Sequence, residues 1–275
     1  MIGAPSKLEL PLDVTWSIDV QLSTRSEPIL TLNPRRVCAT ASVGKVLLLL
    51  AIADAINSER IPPDTRVVRA EAPAVADSGM WQHLRTASLP VTDLCALVGA
   101  TSDNWATNAL IEAIGLESVT AIGRRIGMTQ TQLLDIVRED RSPTDPPALS
   151  MGSAAELRQL CQMLHTGEAI SPAVSKQVRG WLALNTDLSM VAASFGLDPL
   201  AHIEPDRGFL LWNKTGTNDG VRGDVGVVGY GSETVSYAVL ANWSTVDLRD
   251  SLRDEVLAAM HAIGDLIRSA LAGKP

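Results

Sequence analysis

The stretch from Val46 to Ile52 contains only apolar residues. A helix that is apolar on nearly every side has to be buried, so we predict a central helix over residues 42–57. Ser42 would lie in its first turn, where unpaired amide N–H groups and the positive end of the helix dipole are found. Lys45 would lie one turn further along the same face. Because burial lowers the pKa of an ammonium group, Lys45 could then accept a proton from the Ser42 hydroxyl.

Two other motifs accompany this Ser-x-x-Lys motif, and each of the three also has an ordinary structural interpretation. Ser42–Lys45 fits a helix cap followed by a solvated lysine, and Ser102–Asn104 fits a cap at a loop-to-helix transition. Lys214–Thr217, at the end of a predicted strand, fits a strand that enters a turn. Lysine is scarce in this chain, however, and Lys45 and Lys214 complete the first and third motifs. This coincidence favours a shared site.

The composition predicts a globular protein and argues against several kinds of partner. With 275 residues, 46% of them hydrophobic, and a mean hydropathy of +0.14, the chain has ample material for a core. A net charge of -8 and a pI near 5.0 argue against a nucleic-acid partner. The apolar helix is too short to span a bilayer and contains Asp54. No signal peptide is visible, so we expect a cytoplasmic protein without a membrane segment.

The cysteines and histidines do not form a metal-binding pattern. The three cysteines, Cys38, Cys95 and Cys161, are odd in number and far apart, which is typical of buried reduced thiols. The four histidines likewise lack metal-ligand spacing. We therefore expect neither a metal nor a cofactor.

Hydrophobic periodicity places strands near both ends of the chain and helices between them. Strands are predicted at Leu12–Leu22, Ile29–Leu32, Thr65–Arg69, Phe209–Trp212, Asp224–Tyr230 and Val235–Asn242. Further helices are predicted at 93–98 with Thr92 as cap, 104–114, 118–126, 152–165 with Ser153 as cap, 172–184 and 248–271. Residues 70–90 are predicted to be irregular, and residues 127–150 to form a long surface loop of the kind that is usually functional. The order predicts an α/β (α+β) chain with an α/β lobe of about 1–41 and 190–275 and an inserted all-helical lobe of about 42–189.

Together the three motifs resemble the set found in class A β-lactamases and penicillin-binding proteins. The 60-residue step from Ser42 to Ser102 also resembles class A, as do the stretches Ser78–Leu84 and Asn104–Asn108. No Tyr-x-Asn occurs, which argues against the class C and carboxylesterase branch. The resemblance extends from about residue 13 to the C-terminus. It implies a β-lactamase/transpeptidase-like fold, in which an antiparallel sheet is flanked by terminal helices and a helical lobe is inserted. It also implies a monomer that acts on a small molecule.

The resemblance also implies a role for each motif residue. Ser42 would be the acylated nucleophile, and Lys45 its base or proton relay. Ser102 would bridge Lys45 and Lys214 and pass a proton to the leaving amine, while Asp103 would tie its own loop. Asn104 would contact an amide of the substrate, and Lys214 and Thr215 would bind its carboxylate, with Arg222 as an additional ligand. Gly216 would leave room for the acyl group. The backbone N–H groups of Ser42 and Thr217 would form the oxyanion hole. A plain surface arginine fits Arg222 equally well.

The long loop departs from the class A pattern. Class A enzymes hydrolyse their acyl-enzyme with a loop glutamate in a Glu-Pro-x-x-x-Asn context, and Glu139 is the nearest candidate here. It has no following proline and no asparagine four residues on, and Arg138 and Arg141 beside it also fit an ion-paired surface carboxylate. Without a placed base, water attack on the acyl group loses a contribution of about 10²–10⁴ in rate.

Three functions fit these observations. The first is a class A type serine hydrolase that is acylated at Ser42 by a β-lactam or related amide and then hydrolysed. The second is an intracellular amidase, esterase or acyltransferase relative that passes the acyl group to something other than water. The third is a penicillin-binding sensor or sink that acylates and deacylates slowly.

Overall fold

A five-stranded antiparallel sheet is the frame of the fold in the computed structural model, which describes residues 8–69, 75, 77–245 and 251–272. From one edge to the other its strands are β2 (Leu30–Leu32), β1 (Thr15–Leu22), β10 (Glu233–Asn242), β9 (Val221–Tyr230) and β8 (Phe209–Asn218). The pairing of β1 with β10 joins residues from both ends of the chain in one sheet. Strand β8 is an edge strand, so one of its sides is open to a neighbour.

Two small sheets and seven α-helices complete the described part. One small sheet consists of β3 (Val37–Ala39), β7 (Ser150–Ser153) and β6 (Gln132–Leu133), and the other of β4 (Arg66–Val68) and β5 (Ser88–Pro90). The helices are α1 (Lys45–Asn57), α2 (Val91–Thr101), α3 (Asn104–Ile114), α4 (Leu116–Arg125), α5 (Ala154–Thr166), α6 (Pro172–Leu182) and α7 (Ser251–Leu271). This mixture of helices and antiparallel sheet confirms the predicted fold class.

The apolar side chains form two clusters on opposite faces of the five-stranded sheet. On one face, α7 and the 3₁₀ turn Val191–Phe195 pack against the sheet. On the other face, α5 covers β9 and β10, and the same cluster continues into the helices α1, α2, α3 and α6. The assignment of residues 42–189 to a lobe of their own stays a prediction.

The central helix is confirmed. Every residue of α1 from Lys45 to Ala53 is buried, and α3, α4 and α6 pack around the helix. The α-helix begins at Lys45 instead of Ser42, because residues Ala41–Gly44 form a 3₁₀ turn in which Val43 N donates to Thr40 O at 3.0 Å. Such turns commonly precede α-helices, and this one puts the serine just outside the helix.

Several predicted boundaries are wrong for local reasons. Strand β8 runs on through Lys214–Thr217, because its backbone pairs with β9 up to Asn218. Helix α2 starts at Val91 after an extended Pro90, so Thr92 is not its cap. The predicted irregular stretch 70–90 contains β5, and the predicted loop 127–150 contains β6 and the start of β7. Strands of two to four residues are too short to show alternation in a sequence.

Some predictions reach outside the described residues. The start of the last helix, residues 248–250, lies there, and so do residues 70–74 and 76 of the irregular stretch. Among the described helices, none combines the length and apolar character that crossing a membrane requires. Within the same residues, no three His, Cys, Asp or Glu side chains come together as a metal site.

Candidate active site

Ser42 lies in the 3₁₀ turn directly before α1, and it is half-buried. The preceding Ala41 adopts a φ of 46°, in the left-handed region that non-glycine residues rarely occupy. Ser150 of β7 holds this conformation, because its Oγ donates to Ala41 O at 2.5 Å and its carbonyl accepts from Thr40 N at 3.1 Å. The turn that carries Ser42 is therefore fixed by the small sheet on one side and by the buried helix on the other.

Lys45 is completely buried, and its ammonium group faces the loop between α2 and α3. Its Nζ lies 2.6 Å from Ser102 O, 3.2 Å from Ser102 Oγ and 2.8 Å from Asn104 Oδ1. Burial lowers the pKa of Lys45 well below its ordinary value and the charge of Lys214 lowers it further, whereas the carboxylate of Asp103 raises it. A lowered pKa increases the neutral fraction of the amine, which is the form that accepts a proton.

The loop that presents Ser102 is built around Asp103. Ser102 itself has a φ of 56°, in the left-handed region. The Asp103 carboxylate caps α3 by accepting from Ala106 N at 2.9 Å, and it also accepts from Met80 N and Trp81 N, both at 2.7 Å. Three backbone donors thus bind one carboxylate, which ties the Ser102 loop to the preceding segment, as expected for Asp103.

Lys214 lies in the middle of β8 and is also completely buried. Its Nζ donates to Thr215 O at 2.8 Å. Burial lowers the pKa of Lys214 to about 8, although the carboxylates of Asp187 and Asp224 act in the opposite direction. Below that pH, Lys214 is a buried cation beside the site.

Gly216 brings β8 against the turn of Ser42. A Cβ at this position would overlap Thr40 O and would lie 3.1 Å from Ser42 N and 3.0 Å from Val43 N. Only a residue without a side chain allows the edge strand to come so close. The absence of a side chain therefore lets strand β8 lie against the Ser42 turn at Gly216, the residue before Thr217.

A cleft of about 670 Å³ opens above these groups. Six of the predicted site residues line it, namely Ser42, Ser102, Asn104, Glu139, Thr215 and Thr217. Lys45 and Lys214 are buried beneath it. The structure therefore brings together residues from α1, the α2–α3 loop, the predicted loop 127–150 and β8.

Arg222 lies beside this cleft. Its Nη1 donates to Asn218 O and Val221 O, both at 2.8 Å, and both of these residues line the cleft. Its guanidinium carbon lies 5.8 Å from the centroid of the Trp243 ring. The residue is half-buried, and its role as a carboxylate ligand stays a prediction.

The segment that carries Glu139, residues 134–149, is termed the cleft loop. Its Arg138 Nε and Arg141 Nη1 bind the same Asp135 oxygen at 2.8 and 2.6 Å. Burial raises the pKa of Asp135, but hydrogen bonds from the two arginines outweigh this effect and the net pKa is lowered. Both arginines therefore bind Asp135. Glu139 is exposed and lines the cleft.

Sequence reasoning missed two parts of the cleft. Asn185–Asp187 line it after the end of α6, without any motif to mark them. Val137 also lines it, and the Asn108 side chain of α3 binds both of its backbone polar groups. The stretch Asn104–Asn108 contains that asparagine, but its partner in the cleft loop is not apparent from the sequence.

Comparisons with known proteins show the family of the chain and solved structures with a similar fold. The model of the Beta-lactamase enzyme family matches residues 13–271. The structure of a β-lactamase from Sphaerobacter thermophilus DSM 20745 is similar with a TM-score of 0.79 and 24% identity, over 95% of this chain and 93% of that one. A comparison with curated proteins finds no match.

Two other solved structures share the fold. A leucine-to-glutamate mutant of PBP-A, an acyl-enzyme complex with penicillin G, is similar with a TM-score of 0.78 and 18% identity, over 95% of this chain and 92% of that one. An ancestral class A β-lactamase is similar with a TM-score of 0.76 and 23% identity, over 94% of this chain and 95% of that one. Because the family model covers nearly the whole sequence, the chain belongs to the Beta-lactamase enzyme family.

Proposed function

We propose that this protein is a serine hydrolase of the class A β-lactamase type, which is acylated at Ser42 by a β-lactam or a related amide. The observation that carries the proposal is the buried Lys45, whose Nζ is held by Ser102 and Asn104 one helical turn beyond Ser42. An amine enclosed in this way has a lowered pKa and can act as a base.

The contacts of Lys45 fit its neutral form. A neutral amine has two N–H donors and one lone pair. The two short contacts, to Ser102 O and Asn104 Oδ1, use the two donors. The lone pair is then left for a hydroxyl group: Ser102 Oγ lies 3.2 Å from Nζ, and in the proposed reaction the proton comes from Ser42.

The remaining groups would stabilise the transition state and the substrate. The backbone N–H groups of Ser42 and Thr217 form the oxyanion hole in this proposal, which the close approach of the neighbouring Gly216 to the Ser42 turn supports. Ser102 passes the proton on to the leaving amine, and Asn104 binds an amide of the substrate. Lys214 and Thr215 bind its carboxylate, with Arg222 as a further cation beside the cleft.

Release of the acyl group completes the cycle. In the first candidate function water hydrolyses the ester, and the sequence nominates Glu139, which lines the cleft, as its base. A second candidate function, a penicillin-binding protein with slow deacylation, is favoured by the apolar Val137 in the same loop. PBP-A, whose mutant was solved as an acyl-enzyme complex with penicillin G, supports penicillin G as a probe for both candidates.

The proposal is tested by intact mass spectrometry after incubation with penicillin G, a cephalosporin and a simple ester. We expect the protein to gain the mass of one acyl group, and we expect Ser42→Ala to gain none. The variant Ser26→Ala, at an exposed serine outside the cleft lining, is the matched control and should label like the wild type. Labelling that persists in Ser42→Ala would contradict the assignment of the nucleophile.

A further inference from the structure

We propose that Val137 sets the lifetime of the acyl-enzyme, because Asn108 fixes its backbone and it lines the same cleft as Ser42. This inference rests on the proposed acylation of Ser42. It states that the protein forms an acyl-enzyme readily and releases the acyl group slowly, and that Glu139 is not the base.

The position of Val137 is fixed by two hydrogen bonds from one side chain. Asn108 Oδ1 accepts from Val137 N at 2.8 Å, and Asn108 Nδ2 donates to Val137 O at 2.9 Å. Asn108 lies one turn along α3 from Asn104, whose Oδ1 accepts from Lys45 Nζ at 2.8 Å. A single helical turn therefore connects the backbone of Val137 to the proposed base of the acylation step.

The side chain at this fixed position is apolar. Val137 is 9% exposed and lines the cleft together with Ala148 and Leu149 of the same loop. An isopropyl group accepts no proton and binds no water. The residue of the cleft loop whose backbone Asn108 holds therefore has no side-chain group that could act as a base.

The carboxylates of the cleft loop lie elsewhere. Asp135 is bound by Arg138 and Arg141, which together with a backbone hydrogen bond lower its pKa despite its burial. Asp145 accepts from Ser142 N and Oγ, both at 2.8 Å. Glu139 is two residues beyond the Asn108 contact, and its side chain is exposed. Asp140, the fourth carboxylate of the loop, is exposed as well. None of the four belongs to the residue whose backbone Asn108 holds.

The step affected is hydrolysis of the ester on Ser42. The oxygen of water bonds to the acyl carbon, and the bond from that carbon to Ser42 Oγ breaks. One water proton goes to a base and is passed on to Ser42 Oγ, so that a free acid and the free serine result. Without a base at the fixed position, the water receives no general-base assistance from that residue, and such assistance contributes about 10²–10⁴ in rate.

The test compares acyl-enzyme lifetimes. Each variant is labelled with penicillin G, excess reagent is removed, and intact mass spectrometry follows the loss of the adduct. We expect a long-lived adduct on the wild type, a lifetime shortened by about 10²-fold or more in Val137→Glu, and a lifetime close to wild type in Val137→Gln. The glutamine variant is the matched control, since its side chain has nearly the same size as glutamate and is polar, but its amide cannot act as a base.

The role of Glu139 is tested separately by Glu139→Gln, which we expect to leave the lifetime unchanged. A lifetime that lengthens about 10²-fold in Glu139→Gln would overturn the inference, because Glu139 would then be the base. An unchanged lifetime in a folded Val137→Glu would overturn it as well. If thermal unfolding shows that Val137→Glu is not folded, the other two proteins decide. A long adduct lifetime in the wild type that is the same in Glu139→Gln supports the inference. Rapid release of the acyl group from the wild type overturns it.

The failure of the proposed function would look different. If the wild type gains no acyl mass from penicillin G, a cephalosporin or an ester, acylation of Ser42 itself is wrong and the inference is overturned with it. An adduct that forms on Ser42 and does not respond to position 137 overturns the inference alone.

Discussion

The two walls of the cleft are built in different ways. The wall that carries Ser42, Ser102 and Thr215, here called the motif wall, belongs to buried elements, and two fully buried lysines lie beneath it. The opposite wall, the cleft loop, is held by an ion-pair cluster of Asp135 with two arginines and by the contact of Asn108 with Val137. The first wall carries groups that can perform acylation, whereas the second presents an apolar residue at its fixed position.

In the proposed reaction, this difference separates two half-reactions in space. Formation of the acyl-enzyme would depend on groups of the motif wall, whose positions are fixed by the core of the protein. Release of the acyl group depends on what the cleft loop presents, and a loop can change its residues without disturbing that core. Changes on one wall should therefore affect one half-reaction and leave the other nearly intact.

The largest expected effect comes from the buried lysine of the motif wall. Lys45→Ala should lower the rate of acylation by a fluorescent penicillin about 10³-fold, because the general base is removed. Lys176→Ala, at an exposed lysine of α6, is the matched control and should label at the wild-type rate. Equal labelling rates in the two variants would remove Lys45 from the reaction.

The next effect tests the closeness of β8 and the serine turn. In Gly216→Ala the new methyl group would overlap Thr40 O, so the strand has to move away from Ser42. We expect a loss of about 10²-fold in acylation rate and about 1–3 kcal/mol in the free energy of unfolding. Gly180→Ala is the control, because a Cβ in that helix has nothing within 4 Å, and it should stabilise the protein by up to about 1 kcal/mol.

The motif wall was largely predictable from sequence, for a physical reason. A wholly apolar helix has to be central, and the spacing of three residues keeps Ser42 and Lys45 together at its start. The exact form of the turn was not predictable. Its 3₁₀ geometry depends on the contacts of Ser150, which lies about a hundred residues away in the chain.

The cleft loop could be predicted only as a loop. Asn108 and Val137 are 29 residues apart, and nothing in a valine marks it as the partner of an asparagine. The arginines beside Glu139 gave an incomplete indication, since the carboxylate that binds both of them is Asp135. Tertiary hydrogen bonds of this kind leave no periodic pattern, whereas buried helices do.

A smaller effect concerns the charge of Lys214. Its pKa of about 8 in the folded protein means that the cation predominates below pH 8 and the neutral amine above it. For a substrate that carries a carboxylate, kcat/KM should therefore fall by up to about tenfold per pH unit above pH 8. A neutral ester without a carboxylate is the control and should lack this decrease. Parallel pH profiles for the two substrates would argue against carboxylate binding by Lys214.

The last prediction separates the two walls by stability. Asn108→Ala removes both partners of the Val137 backbone, and we expect the free energy of unfolding in urea to fall by about 1–3 kcal/mol, the cost of leaving buried polar groups unsatisfied. Asn57→Ala, at an exposed asparagine at the end of α1, should change it by less than about 0.5 kcal/mol. Hydrogen exchange at the amide of Val137 should accelerate, while the labelling rate of Ser42 stays close to wild type. The labelling rate in Asn108→Ala could instead fall as far as in Gly216→Ala. The cleft loop would then take part in acylation, because Asn108 affects the motif wall only through α3.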